Sequence, residues 1–157
     1  MARTTPATRF LASRNIDFTL HGYEYAPGAD RVGLQAAEAL QEHPARVLKT
    51  LMILIDGRPG CAILPSDRTL SMKKVAVALG GRSAQLMAPA DALRISGYHV
   101  GGISPFGQRR SVPVVLEAAA MREALVFINA GQRGLQLQIA PSDAVAALGA
   151  IVAAITA

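Results

Sequence analysis

The run Gly97-Tyr98-His99-Val100-Gly101-Gly102-Ile103-Ser104-Pro105-Phe106-Gly107-Gln108-Arg109-Arg110 concentrates four glycines and a proline ahead of two arginines. Glycine tolerates positive φ and lets a ligand approach the main chain, and proline stiffens the exit. Such a segment offers amide N–H and carbonyl groups to a small polar ligand, with Arg109 and Arg110 ready for a neighbouring anion. A tight structural loop before a strand accounts for the same composition. No Gly-Lys-Ser/Thr closes the run as in a phosphate-binding P-loop, and no helix pattern follows it as in a dinucleotide fingerprint.

Lys49 is the second residue that could carry chemistry. It stands alone as a charge inside the apolar run Val47-Leu48-Lys49-Thr50-Leu51-Met52-Ile53-Leu54-Ile55. An ammonium there is costly to bury without a partner. Its stem can lie along apolar surface while its head reaches water or an ion pair. Alternatively, it stands at the floor of a polar cleft facing an anion or a carbonyl. At ~4 Å and an effective dielectric of about 20, that contact is worth about 4 kcal/mol before desolvation. This would suffice to position a phosphate or a ribose.

The remaining reactive residues form no recognisable machinery. Cys61 is the sole cysteine, which excludes an intrachain disulfide and a cysteine-rich zinc site. Neither a positive charge nor a capped helix start flanks it, so it reads as a buried structural thiol. His21, His43 and His99 lack metal-ligand spacing. His99 borders the glycine run, yet no serine or cysteine beside it pairs with an acid as in a hydrolase triad. Ser104 lacks the Gly-x-Ser-x-Gly frame of a nucleophile elbow. Lys73, Lys74, Arg109 and Arg133 are candidate polyanion contacts, and each reads equally well as a solvated charge.

Positioning these residues falls to short elements of both kinds. Thr4 or Thr5 caps a first helix with Pro6 just inside it, and Phe18 to His21 reads as a strand. Tyr23 to Gly28 is an extended entry to a loop, followed by a helix over Gly33 to Gln41. Arg46 to Ile55 and Gly60 to Leu64 read as a hairpin about Asp56-Gly57. Ser71 caps a helix from Met72 to Leu79. Ala84 to Met87 is a short strand, and Ala90 to Ile95 a helix closed by Gly97. Strands are expected at Val112 to Leu116, Leu125 to Ile128 and Leu135 to Ile139. Ala118 to Glu123 is a helical turn, and Asn129 to Gly134 a turn. A last helix opens at Pro141-Ser142-Asp143 and runs through Leu148, with a continuation past Gly149 left open. Irregular alternation with hairpin-length turns predicts a single α+β domain with a mixed sheet.

Whole-chain properties bound the function. At 157 residues the chain can bury a real core; 51% of it is hydrophobic but only 4% aromatic, so aliphatic side chains must do the packing. The formal charge of +5 suits a polyanionic partner without requiring one. The N-terminal residues lack a signal-peptide core, and the least charged stretch, Ala144 to Ala157, falls short of the ~18 apolar residues of a membrane span. A cytoplasmic protein with no membrane partner is expected.

The sequence resembles the YbaK-type aminoacyl-tRNA deacylases, free-standing relatives of the editing domain inserted in bacterial prolyl-tRNA synthetase. Nearly the whole chain takes part. The shared stretches are Thr5-Pro6-Ala7, Tyr23-Glu24 with Pro27, Val47-Leu48-Lys49-Thr50-Leu51, Met72-Lys73-Lys74-Val75-Ala76, Gly97 through Gln108, and Arg133-Gly134-Leu135. The resemblance implies a mixed, partly barrel-like sheet wrapped by helices. It assigns Lys49 to the family's essential lysine and Gly101, Gly102, Ile103, Ser104 and Pro105 to its Gly-x-x-x-Pro loop. Tyr23 falls at a pocket position.

The implied reaction is hydrolysis of mischarged Cys-tRNA(Pro) at the 3′ acceptor end, assisted by the substrate thiol, without metal or cofactor. The enzyme would work beside prolyl-tRNA synthetase. The chain departs from the family pattern at Val32, where Phe is frequent, and at Gln136, where Asp is frequent. Both positions bear on which amino acid is accepted, so a deacylase for another small residue such as Ala-tRNA(Pro) is the alternative. A non-catalytic tRNA- or synthetase-binding module is the alternative from another class.

Overall fold

A computed structural model describes residues 4–25 and 32–157. The loop expected over Ala26 to Gly28 lies outside them. Five helices and eight strands follow in the order α1 (Pro6–Ser13), β1 (Thr19–Gly22), α2 (Val32–Ala39), β2 (Leu48–Ile55), β3 (Arg58–Pro65), α3 (Met72–Ala78), β4 (Ala84–Leu86), α4 (Pro89–Ser96), β5 (Val114–Glu117), β6 (Val126–Gln132), β7 (Leu135–Ile139), α5 (Pro141–Leu148) and β8 (Ile151–Ala153) among the described residues. Short 3-10 turns occupy Pro44–Arg46 and Ala118–Arg122. The expected mixed α+β domain is present, with its strands divided between two sheets. One has the order β1-β7-β6 and the other β4-β2-β3-β5-β8.

The β2–β3 hairpin organises the larger sheet. Asp56 (φ 49°) and Gly57 (φ 81°) form its two-residue turn, the mirror-image geometry that suits strand twist. Pro59 and Pro65 stand opposite Leu54 and Leu48. Ser66 N–H donates to Val47 C=O, so odd-numbered residues of β2 bond β3, and both prolines occupy pairs that need no N–H. Even-numbered residues turn to the other edge, where Met52 C=O accepts from Met87 N–H and Asp56 N–H donates to Ser83 C=O. β4 pairs only with Ile53, Leu54 and Ile55. A single parallel bridge, Val47 to Phe127, ties the start of β2 to the smaller sheet. Between these two points no described strand covers the outer edge of β2.

Alternation along the strands separates the cores. Leu48, Met52, Cys61, Ile63 and Leu116 face Ile128, Leu135 and Leu137 of the smaller sheet in the main cluster. Ile53, Ala62, Leu64 and Val115 face Val75 and Ala76 of α3, together with Ile155. The other face of the smaller sheet packs Phe127 and Tyr23 against Ala36 and Ala37 of α2. α1 is tied to β6 by Thr5, whose hydroxyl donates to Ala130 C=O at 2.6 Å while accepting from Thr8 N–H.

Two elements differ from the sequence expectation. The residues read as a turn from Asn129 continue β6 to Gln132 through an irregularity in register, with Gly131 at φ 97°. After α5 the chain reverses at Gly149 (φ 60°) and adds β8 beside β5 as a parallel edge strand.

Candidate functional site

A cavity of about 700 Å³ lies against the uncovered edge of β2. Leu48 to Met52 form one wall, and the loop from Ser66 to Thr69 continues it. Leu86 and Met87 stand at the end of β4, Pro89 and Ala92 on α4, and Val100, Gly101 and Ile103 come from the glycine run. Asn129 of β6, Gln136 of β7 and Leu34 of α2 complete the lining. Because side chains alternate along a strand, Lys49 and Thr50 leave opposite faces of β2. A ligand lying along this edge can meet both. Lys49 is partly buried, with its charge at the cavity and not in the core.

The glycine run is held by its neighbours. Gly97 ends α4 in the left-handed region (φ 84°), where an added Cβ would sit 3.0 Å from the Arg109 side chain. At Gly102 a Cβ would stand 2.9 Å from the main-chain nitrogen of Arg133, so the loop rests directly on the β6–β7 turn. Asn129 Nδ2 donates to Gly101 C=O at 3.2 Å, while its Oδ1 accepts from Gly131 N–H at 2.7 Å and Gln132 N–H at 3.1 Å. Arg133 donates through Nε (3.1 Å) and Nη2 (2.7 Å) to Val100 C=O, and its guanidinium lies 5.7 Å from the Tyr25 ring centre. Ser104 is fully buried and its Oγ accepts from Phe106 N–H. Gln108 Nε2 donates to Ser104 C=O at 3.0 Å.

The residues singled out from sequence therefore separate. Lys49, Gly101, Ile103 and Gln136 line the cavity together. Gly102, Ser104 and Pro105 are buried behind the loop and support it. Tyr23 sits in the adjoining cluster under α2; burial raises its pKa, while the Gly134 backbone and the Gln136 side chain pull it back. Val32 opens α2, and its side chain lies outside the described residues. Lys73, Lys74, Arg109 and Arg133 do not line the cavity. Lys74 Nζ instead donates to Thr156 C=O at 2.9 Å.

Sequence reasoning passed over Thr50, Asn129 and the Asp67-Arg68 pair, all in the lining. Only Thr50, a second polar residue beside Lys49 in an apolar run, carried a readable signal. Cys61 is sealed at 0% exposure, where burial pushes its thiol up to about 12 against a small opposing pull from the Gln108 side chain. No cluster of three or more His, Cys, Asp or Glu side chains able to hold a metal occurs among the described residues. No described helix is long and apolar enough to cross a membrane.

The model of the aminoacyl-tRNA editing domain matches residues 27–147 of this sequence. The chain belongs to the aminoacyl-tRNA editing domain family. That span holds the lysine strand, the glycine run and β7, the parts that meet at the cavity. An Enterococcus faecalis protein named provisionally as a Cys-tRNA(Pro)/Cys-tRNA(Cys) deacylase is 30% identical over 139 residues, covering 87% of this chain and 84% of its own. The proline–tRNA ligase of Acidithiobacillus ferrooxidans is 30% identical over 95 residues, which are 60% of this chain and 16% of the ligase. A crystal structure described provisionally as a trans-editing enzyme for prolyl-tRNA synthetase superposes with a TM-score of 0.82 at 19% identity, over 99% of both chains. Family membership makes this an editing protein whose chemistry is hydrolysis of aminoacyl-tRNA.

Proposed function

We propose that the protein removes cysteine from mischarged Cys-tRNA(Pro), acting on the 3′ acceptor end beside prolyl-tRNA synthetase in the cytoplasm. A proline pocket admits smaller amino acids because losing a methylene costs only ~1–3 kcal/mol, so a second sieve has to remove the errors. The observation that carries the reading is the makeup of the cavity. Its hydroxyls, Thr50, Ser66 and Thr69, stand without a histidine or cysteine in the lining to activate them. Ser66 Oγ is engaged with Pro44 C=O.

The nucleophile then comes from the substrate. Its thiolate attacks the ester carbonyl carbon, the carbon–oxygen bond to the ribose breaks, and the ribose oxygen leaves with a proton. The resulting thiolactone is opened by water. Lys49 supplies positive charge beside the reacting ester, and the Gly101 loop supplies fixed main-chain dipoles. The resemblance to the Enterococcus faecalis protein supports cysteine as the amino acid removed.

Single-turnover ester loss from cysteinyl-, seryl- and alanyl-tRNA(Pro) at equal enzyme excess tests this. A free thiol is already a few per cent thiolate near neutral pH, while a hydroxyl is not. Cysteinyl ester should be lost fast, seryl far more slowly and alanyl not at all. Faster loss of the alanyl ester would replace this route with activation of a water.

A further inference from the structure

The loop from His99 to Phe106 spends its acceptors and keeps its donors. His99 C=O accepts from Gly102 N–H at 2.8 Å, and Phe106 C=O from the Tyr98 hydroxyl at 2.6 Å. Val100 C=O accepts from Arg133, Gly101 C=O from Asn129 and Ser104 C=O from Gln108, all through side chains from outside the loop. By contrast, no hydrogen bond takes the N–H of Gly101 or Ile103 among the described residues, and both residues line the cavity. A loop with closed carbonyls and open amides presents the positive ends of its dipoles, so it is suited to receive negative charge.

Arg133 and Asn129 set that direction at Gly101. The register irregularity of β6 between Asn129 and Gln132 leaves both side chains against the loop. Arg133 puts two donors on one oxygen, Nε at 3.1 Å and Nη2 at 2.7 Å, a fork that fixes the Val100 carbonyl in direction as well as distance. The Val100–Gly101 peptide is planar and trans, so its N–H points away from Arg133, which lies outside the cavity lining. On the next peptide Asn129 Nδ2 holds Gly101 C=O at 3.2 Å, so Gly101 is gripped on both sides in the positive-φ conformation (92°) that glycine tolerates. The charge on Arg133 also polarises the Val100 peptide, which strengthens its N–H as a donor.

We infer that Arg133 and Asn129 are positioning residues for hydrolysis: by holding the carbonyls of Val100 and Gly101 they aim the Gly101 N–H at the ester carbonyl oxygen, where charge develops. The inference rests on the deacylase reading above but not on which amino acid is removed. Whatever nucleophile adds to the carbonyl carbon, the electron pair of the C=O bond moves onto the same oxygen. Arg133 is exposed, and a phosphate contact is the competing reading. The two roles need different things from the side chain. A phosphate contact needs the charge, whereas the clamp on Val100 needs the two-donor fork, which lysine does not have.

The experiment is single-turnover ester loss from whichever of cysteinyl-, seryl- and alanyl-tRNA(Pro) the wild-type protein cleaves fastest. The maximal rate and the half-saturating enzyme concentration are measured separately. Arg133→Ala and Arg133→Lys should both lower the maximal rate by roughly 10- to 100-fold, the scale of misplacing a group by about 1 Å, and leave half-saturation within about twofold. Ethylguanidinium added to Arg133→Ala should recover rate that ethylammonium does not. Asn129→Asp keeps an acceptor for Gly131 N–H and Gln132 N–H but sets an anion against Gly101 C=O, and should lose rate on the same scale while still melting cooperatively.

A full rate in Arg133→Lys, or a salt slope of binding that falls by about 0.7 in Arg133→Ala, would make Arg133 a phosphate contact and overturn the inference. A wild-type rate in folded Asn129→Asp overturns it too. In each of these cases the deacylase reading stands, because the wild-type protein still cleaves its ester. Cleavage of none of the three esters by wild type overturns that reading and this inference with it.

Discussion

Glu117 and Gln136 are buried alike, at 4% and 2% exposure, but they stand in opposite conditions. Glu117 Oε1 accepts from Ile155 N–H (2.8 Å) and Thr156 N–H (3.2 Å), and Oε2 accepts from Ala119 N–H (2.7 Å). These bonds fasten the C-terminal residues to the end of β5. Gln136 Oε1 and Thr50 Oγ1, across the molecule at the cavity, have no such partners among the described residues. Both regions bury polar groups; around Glu117 the carboxylate is fully engaged by the fold, and at the cavity Asn129 and Ser66 are engaged while Gln136 Oε1 and Thr50 Oγ1 are not. Complete hydrogen bonding marks where the structure is held together.

The largest effect that would sharpen this contrast belongs to Lys49. Lys49→Ala should fold normally, since Lys49 is only partly buried and faces the cavity. Its turnover should fall by roughly 10²–10³-fold, the scale of losing one preorganised electrostatic contact. Circular dichroism and single-turnover ester loss check both halves. An intact fold with activity within a few-fold of wild type would make Lys49 structural and move the chemistry to the backbone.

Glu117→Ala should show the reverse pattern, losing stability while the folded fraction keeps its activity. Three main-chain donors lose their acceptor at once, and a loss of about 3 kcal/mol, or roughly 6–12 °C in Tm, is expected. Its pH dependence follows from its environment. Burial alone would raise the Glu117 pKa, but the N–H groups of Ala119, Ile155 and Thr156 outweigh it and hold the carboxyl below its usual range. A depressed folded-state pKa adds stability above the ordinary carboxylate pKa near 4.5 and loses it as pH falls through the folded value. Wild-type melting temperature should therefore drop below about pH 4.5 more steeply than that of Glu117→Ala.

What the sequence made legible follows the same division. Local chemistry was readable wherever a short stretch decides its own shape. The Asp56-Gly57 turn, the Ser71 cap whose Oγ accepts from Lys74 N–H, and β7 over Leu135–Ile139 all formed as the residue types required. Lys49 and the glycine run were legible because a charge in an apolar strand and a cluster of glycines are anomalies in themselves. Asn129 was not, because Asn129-Ala130-Gly131 reads as the opening of a turn. Here its amide instead bridges Gly101 C=O to the bulged end of β6, across 28 residues of sequence. β8 was hidden for a similar reason. Ile151–Ala153 is too short to stand out, and its place depends on pairing with β5. Arg68 is exposed in a polar loop and acquires its meaning only from the cavity beside it.

Arg68 also carries a smaller test of the contrast. It lines the cavity, whereas Lys74 belongs to the well-bonded region through Thr156 C=O. If binding follows the cavity, Arg68→Ala should reduce the slope of log affinity against log salt by about 0.7, the contribution of one single-strand phosphate contact. Lys74→Ala should leave the slope unchanged. Titrating an uncleavable acceptor-stem analogue at several salt concentrations measures both. A slope that responds to Lys74 and not to Arg68 would place the RNA on the opposite side of the larger sheet.

The smallest effect is expected at Cys61, and its smallness is what the substrate-thiol route requires. Its side chain is fully buried in the main core, beneath Gln108 and away from the cavity lining. With the thiol pushed up to about 12, fewer than about one molecule in 10⁴ would carry a thiolate at pH 8. A substrate cysteine, with an ordinary thiol pKa near ~8.5, would be ionised about a thousandfold more often at the same pH. Cys61→Ala removes one sulfur from a packed site and should cost about 1 kcal/mol of stability. Turnover of cysteinyl-tRNA(Pro) by the folded protein should stay within twofold or so of wild type, because no step passes through this side chain. A variant that melts normally but is inactive, or an acyl adduct on Cys61 detected by mass spectrometry, would show that the protein supplies its own nucleophile.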